Sequence, residues 1–381
     1  MKDKADVVIV GAGVMGCAIA YYLAKAGLDV LVLEKDSIAY GGSGRNGGGV
    51  RQQWRFPPEL PWAIESVKIF KTIDEELGIE SEYYQGGNLL LAATEKELEE
   101  HRRSVEEQRA QGLLDSYIVS REEVLKLAPA LNPKGPFIGA RYCESDGNCN
   151  PFAVTFGYAH AAERHGATIR THTEVLSIEE HEGRVLGVRT TDGLVEGEKV
   201  ILAAGPWTLL LARTVGLELP ITSVRHQVMV TEAIPPLFEQ FLIHLESGVW
   251  CRQTRGGHVQ IGMGDPKEPP SFSQEASSTW LLRAARGVLE LLPSLAGVHI
   301  VRCWGGLYDI TPDACHIIDW APNVEGLLIV AGFSGHGFAL GPITGKVVSE
   351  LLLTGKPSLP IDDFSLARFE AEGFKKASTV L

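Results

Sequence analysis

A chain of 381 residues is too long for one simple core and short for three domains, so length favours two. Its 35 Lys and Arg against 48 Asp and Glu leave a net charge of −13. That acidity argues against nucleic acid as a general partner and against a broad contact with an anionic membrane, while a local arginine can still receive a small anionic substrate.

The first residues lead directly into a strand rather than a signal-type apolar stretch. Asp6 to Val10 reads as a buried parallel strand, a short apolar run without alternation. Glycines follow, then a helix from about Val14 to Ala26, a turn at Gly27 and a second apolar strand from Asp29 to Glu34. Gly41 to Gly49 (GGSGRNGGG) holds six glycines, and Trp62 to Leu77 has helical periodicity. Gly87 to Ala92 reads as a strand. Thr94 with Glu97 and Ser120 with Glu123 form capping-box patterns, each announcing a helix. Asn150-Pro151 caps a helix that runs to about Arg164. Short strands follow near Thr168–Arg170, Glu174–Ile178, Arg184–Thr190 and Lys199–Ala203.

From Pro220 to Asp309 alternating strands dominate (Thr222–Val230, Val259–Met263, Val298–Trp304), with one helix near Ala276–Leu292. Leu327 to Ala331 returns to a parallel-type strand, followed by a glycine turn and a helix from about Pro342 to Leu353. Gly326 to Gly345 lacks Asp, Glu, Lys and Arg and has the length of a membrane span, but its six glycines, Pro342 and His336 favour strand, turn and helix; no transmembrane segment is expected. The pattern predicts an α/β Rossmann-like cofactor domain built from 1–86, 145–219 and 325–381, with an inserted α+β, antiparallel-sheet substrate domain from 87–144 and 220–324.

Six cysteines, at 17, 143, 149, 251, 303 and 315, form no C-x-x-C pair, so no metal site is expected. Scattered thiols point to a reducing, cytoplasmic location, which disfavours a disulfide even between Cys143 and Cys149.

Gly11-Ala-Gly13-Val-Met-Gly16 lies between strand and helix. Gly11 permits the tight turn, Gly13 lets the backbone approach a pyrophosphate at the positive helix end, and Gly16 lets helix and strand pack closely. Glu34 ends the second strand, where a carboxylate binds a ribose 2′-hydroxyl and repels a 2′-phosphate. This unit does not separate FAD from NAD. The loop Gly41–Gly49 can lay backbone N–H groups against a flat ring or a phosphate, and the segment after it is basic and aromatic (Arg51, Trp54, Arg55, Phe56).

With four stretches in view the chain resembles the D-amino-acid-oxidase-like flavoproteins, nearest to the sarcosine oxidase β-subunit and dye-linked L-proline dehydrogenase β-subunit group. They are VVIVGAGVMG (Val7–Gly16), SGRNGGGVRQQW (Ser43–Trp54), ILAAGPW (Ile201–Trp207), and the pair WGGLYDITPD (Trp304–Asp313) and AGFSGHGF (Ala331–Phe338). The resemblance implies FAD, with Gly11, Gly13 and Gly16 at the pyrophosphate and Glu34 at the ribose. It implies Ser43, Gly44 and Arg45 near the pyrophosphate or flavin, and Val175 at the adenine. Ala204, Gly205 and Trp207 would flank the flavin, and Gly335, His336 and Gly337 the isoalloxazine. Departures sharpen this expectation. Gly306 stands where monomeric sarcosine oxidases attach FAD through cysteine, so non-covalent FAD is expected. Pro151 occupies the position of the histidine that carries covalent FMN in heterotetrameric relatives. Ala339 stands in place of a lysine, and Gln260 matches a lysine that promotes reaction with oxygen, so electrons are expected to leave through a partner subunit or another acceptor. Tyr308 replaces the carboxylate-binding arginine of D-amino-acid and glycine oxidases.

The chemistry so implied is oxidation of a small secondary or N-methyl amino acid, sarcosine or proline above all, to an imine. A primary amino acid, glycine, an opine, or a silent flavoprotein subunit are the alternatives. Arg51 is the expected carboxylate anchor, because a guanidinium binds a carboxylate through two parallel hydrogen bonds. Tyr308 would close the pocket, and His336 would stand beside a helix end that favours the reduced flavin's negative charge. Arg225 and His226, on an alternating strand, are expected on a solvated face.

Overall fold

Strands without polar alternation have to be buried on both faces, and the middle of the first sheet is built of such strands, Val30–Leu33 and Leu327–Ala331 among them. The computed structural model describes residues 2–53, 57–371 and 373–377; Trp54, Arg55 and Phe56 of the basic aromatic segment lie outside the described residues. The first sheet has Lys4–Val10 at its centre, parallel to Val30–Leu33 on one side and to Gly193–Leu202 on the other. Thr168–Arg170 extends it parallel beyond Val30–Leu33, and Leu327–Ala331 beyond Gly193–Leu202. Val175–His181 and Arg184–Thr190 run antiparallel alongside Gly193–Leu202 as a meander. The helices Val14–Lys25, Pro151–Arg164 and Gly337–Thr354 bury their apolar residues on one face of this sheet. The meander and the short helix Thr208–Ala212 cover the other.

The second sheet has the order Ile300–Ile310, Thr222–Ala233, His258–Met263, Val249–Gln253, Phe241–His244, Asn88–Ala92, Gly139–Cys143, Ser116–Ser120. Its core is closed by the helix Ser278–Leu291, whose Trp280, Ala284, Val288 and Leu291 are buried at helical spacing. Gly49–Val50 pairs with Gly147–Asn148 as a small bridge.

The mixed α/β architecture with two sheets is as expected, and several local expectations are corrected. The second sheet is not wholly antiparallel: Phe241–His244 runs parallel to Asn88–Ala92, two strands from distant segments that no hairpin constrains. Ile317–Trp320, inside the stretch expected in the inserted unit, pairs antiparallel with Leu327–Ala331 in the first sheet. The helix expected over Trp62–Leu77 is two, Leu60–Phe70 and Ile73–Leu77, broken where the Thr72 hydroxyl donates back to the Ile69 carbonyl at 3.3 Å. Ser120 and Glu123 make a reciprocal capping box, whereas Glu97 reaches past Thr94 to accept from Ala93 N.

The last helix starts at Gly337, not at Pro342, which sits inside it. Packing overrides the proline here: this helix crosses the first one so closely that a Cβ on Gly345 would lie 2.6 Å from Ala18 Cβ. Among the described residues no helix is long and apolar enough to cross a membrane, all six cysteines are free thiols, and no cluster of acidic, His and Cys side chains is arranged to hold a metal ion.

Candidate active site

The larger cavity, about 340 Å³, opens where the central parallel strands end, at Val10, Leu33, Ala203 and Val330. Gly11, Gly13, Glu34, Ser43, Val175, Ala204, Gly205, Trp207, Gly335 and Gly337 all line it. Gly16 lies behind the wall, where its lack of a side chain is a packing demand: a Cβ would fall 1.9 Å from Gly11 O. Gly11 itself has φ +106°, a conformation that favours glycine. Gly13 is the N-cap of the first helix, and the Val14 amide donates to Ser43 Oγ at 2.8 Å. A hydroxyl thus already meets one donor of a helix end suited to phosphate oxygens. Glu34 accepts from Ala12 N at 2.9 Å and from Asp36 N at 3.0 Å, which fixes its carboxylate on the cavity wall with lone pairs left for ribose hydroxyls. Lys35, which sequence reasoning missed, also lines the cavity with Nζ 3.6 Å from the centre of the Trp207 ring.

These residues fit a dinucleotide flavin: a helix end for the pyrophosphate, a carboxylate for the ribose, and a long cavity reaching the second sheet at Leu307 and Tyr308. Among the described residues that line it there is no cysteine or histidine for a covalent attachment.

Two residues expected at the cofactor, Gly44 and Arg45, do not line the cavity. Arg45 lines neither cavity. Its Nε donates to Tyr40 O at 2.8 Å and its Nη1 to Gly305 O at 3.2 Å, so it ties the glycine loop to the strand Ile300–Ile310. Gly44 lines neither cavity, and a Cβ there would fall 2.3 Å from Ala39 O and 2.8 Å from the Phe152 ring. Gln260 also lines neither cavity; it accepts from Arg252 Nε at 2.9 Å.

A smaller cavity of about 120 Å³ shares Asn46, Tyr308, Gly335 and Phe338 with the larger one. Arg51, Tyr308 and His336, far apart in the chain, all line it, as does Ala339. Burial pushes the Tyr308 phenol up to about 12, so it is a neutral donor. Its ring stacks on His226 at 4.7 Å, and the stack continues through Trp250 to Phe241. Trp250 Nε1 donates to His226 Nε2 at 3.0 Å, and burial lowers the His226 pKa to about 4. The expectation of a solvated His226 is therefore wrong: it is buried between Tyr308 and Trp250, where a neutral imidazole serves as an aromatic plate behind the cavity wall. Arg225 is instead tied to Glu268 at 2.7 Å.

Behind His336 lies Glu59, fully buried and not anticipated from the sequence. Its Oε1 is 2.7 Å from His316 Nδ1 and its Oε2 is 2.6 Å from His336 Nε2. The carboxylate thus stands between the two imidazoles, within ion-pair distance of both. Burial alone would raise the Glu59 carboxyl, but the two imidazoles outweigh it and bring the pKa down to about 2. Burial pushes His316 down, making it the neutral partner.

Asp146 is the opposite case. It is fully buried, and its Oδ1 accepts from Gln52 N at 2.7 Å. Burial lifts its pKa to about 6, against the pull of that amide and of Arg51. A carboxyl raised from about 3.9 in the unfolded chain contributes its stability fully below that value and loses it as pH rises through about 6, a cost of about 3 kcal/mol. Asp146→Asn, which keeps the Oδ1 acceptor, is expected to flatten this loss. Urea unfolding at about pH 5 and pH 8 measures it, and parallel pH profiles for the two proteins would reject it.

A family model described as FAD dependent oxidoreductase matches residues 6–351. The chain is 32% identical over 374 residues to the sarcosine oxidase subunit beta of Rhizobium meliloti (strain 1021), covering 97% of this chain and 89% of that one. It is 29% identical over 376 residues to the glycine oxidase of Geobacillus kaustophilus (strain HTA426), covering 97% and 98%. Its structure matches the crystal structure of L-proline dehydrogenase from P. horikoshii with a TM-score of 0.92 and 30% identity, over 97% of this chain and 99% of that one.

Proposed function

The chain belongs to the FAD dependent oxidoreductase family, as an amino acid oxidoreductase of the sarcosine oxidase, glycine oxidase and proline dehydrogenase type, and from that premise we propose that it oxidises a small secondary or N-methyl amino acid to the imine. The observation that carries this reading is the shared wall: the cavity holding Arg51, Tyr308 and His336 opens against the cavity that fits FAD. FAD, held non-covalently, supplies the acceptor for a hydride equivalent from the carbon next to nitrogen. Arg51 binds the substrate carboxylate and so sets which carbon faces that wall. Tyr308 closes the cavity as a neutral hydrogen-bond donor, and the aromatic plate of His226 and Trp250 behind it keeps water out. The helix beginning at Gly337 turns its positive end toward both cavities, favouring negative charge there. Electrons then pass to a partner subunit or another acceptor, a reading supported by the relatives named as β-subunits.

Anaerobic titration of the yellow protein with sarcosine, L-proline, D-proline and glycine tests the proposal. A secondary amino acid is expected to bleach the flavin at lower concentration than glycine. Bleaching by glycine alone, or by none of the four, rejects it. Peroxide formation in air as fast as anaerobic flavin reduction would reject the partner-acceptor step.

A further inference from the structure

Arg51 and Asp146 are neighbours across the small bridge of Gly49–Val50 and Gly147–Asn148. Gly49 pairs with Asn148 and Val50 with Gly147, so one residue beyond the bridge Arg51 follows on one strand and Asp146 precedes on the other. Asp146 Oδ1 accepts from the Gln52 amide at 2.7 Å, and Gln52 Nε2 donates to Ser145 Oγ at 2.6 Å. The segment that carries Arg51 is thereby fastened to the turn before Gly147. Arg51 lines the smaller cavity, whereas Asp146 is fully buried and lines neither. A ligand carboxylate thus meets the Arg51 charge from the cavity side, while Asp146 acts on it from inside the protein.

Burial raises the Asp146 carboxyl to about 6, and the Gln52 amide and the Arg51 charge oppose that rise. The other ionisable groups that feel Asp146 are Cys143, Tyr83 and Tyr142. Burial pushes all three up, so they stay neutral where a carboxyl titrates. Asp115 accepts from Ser145 N at 3.0 Å, and Glu144 accepts from the Tyr117 hydroxyl at 2.7 Å.

We propose that Asp146 is a positioning residue for the substrate anchor: it holds the Arg51–Gln52 segment through the Gln52 amide, and its carboxylate shares the Arg51 charge that a ligand carboxylate must claim. This rests on the reading of Arg51 as the anchor of an amine-oxidising site. Two anions on either side of one guanidinium repel each other, so a carboxylate ligand binds best when Asp146 carries a proton. Asp146 is protonated below about pH 6, so affinity is highest there, falls as pH rises, and ligand entry near pH 6 draws a proton onto Asp146.

The test uses the FAD-loaded enzyme and two unoxidisable probes in which sulfur replaces the amine: (methylthio)acetate, and (methylthio)acetamide as its uncharged counterpart. Calorimetry and the shift of the flavin spectrum report affinity. The acetate is expected to bind about 10-fold more tightly at about pH 5 than at about pH 8, the size of a modest charge–charge coupling, and the amide equally at both. Calorimetry in buffers of different ionisation heat should show proton uptake with the acetate near pH 6. Asp146→Asn keeps the acceptor for the Gln52 amide and is expected to bind the acetate at about pH 8 as tightly as the wild type does at about pH 5, with no proton uptake. Asp146→Ala loses that acceptor and is expected to bind more weakly than Asp146→Asn at every pH. A flat wild-type profile, the same slope with the amide, a slope that survives Asp146→Asn, or no binding of the acetate at any pH overturns the proposal. Should the variants not fold, the infrared difference spectrum of the wild type decides: a protonated-carboxyl band that grows on acetate binding near pH 6 supports Asp146, since an imidazole gives none, and its absence overturns it. A pH-dependent acetate affinity without flavin bleaching by any secondary amine upholds the role of Asp146 and rejects amine oxidation.

Discussion

Arg51→Ala is expected to weaken substrate binding by about 100-fold or more while the protein stays yellow. The magnitude follows from a forked guanidinium making two charge-assisted hydrogen bonds to one carboxylate, each contributing about 1.5–3 kcal/mol. The retained colour follows from position: Arg51 lines the smaller cavity and not the larger one. Its guanidinium lies 5.5 Å from the centre of the Phe241 ring, so the variant also loses some packing, which a thermal midpoint will register separately from binding. Flavin reduction followed anaerobically against substrate concentration separates the two effects. A half-saturation concentration within a few-fold of wild type would remove Arg51 from the anchor role, and a colourless protein would place it at the cofactor instead.

Glu59→Gln is expected to cost about 3 kcal/mol of stability at neutral pH. The carboxyl titrates near 2 in the folded protein and near 4.3 in the unfolded chain, so its contribution is fully present above about pH 4.3 and is lost as pH falls through about 2. Glutamine keeps the shape but removes the charge that both imidazoles face. Unfolding free energies of the two proteins, compared from about pH 3 to pH 7, should differ most at neutral pH and converge in acid. A constant difference across that range would show that the loss is one of packing around His316, whose ring lies against Trp62, Phe333 and Phe364, rather than of charge.

The nucleotide-binding half of the site was legible because its requirements are local. Gly11, Gly13, Gly16 and Glu34 are tied to one strand–helix–strand unit, and turn geometry, helix entry and strand end each leave a mark within about thirty residues. The same holds for Asn150 and Ser120, whose side chains accept the helix amides expected of them. Where a local rule met a tertiary demand it gave way. Pro342 marks a helix start by itself, but close packing on the first helix carries the helix back to Gly337. His226 alternates like a residue on a wet face, but that face is buried against Trp250 and Tyr308.

Glu59, Arg141 and Asp146 carried no such mark. A lone glutamate after two prolines, an arginine within an apolar strand and an aspartate before glycine all have ordinary surface readings. What makes them exceptional is burial beside partners from other segments: His316 and His336 for Glu59, the Gln53 carbonyl for Arg141, the Gln52 amide for Asp146.

By itself, then, the amino-acid sequence determined an α/β unit of the Rossmann type, the glycine turn and acid that meet at its cavity, and the segments that return to it, since these depend on backbone conformations and periodicities that neighbouring residues dictate. Only the tertiary structure decided that Arg51, Tyr308 and His336 share one cavity, that Arg45 and Gly44 line neither cavity, and that a buried carboxylate stands behind His336. Those facts depend on which strands pair across hundreds of residues, and strand pairing between distant segments leaves no periodic trace in the chain.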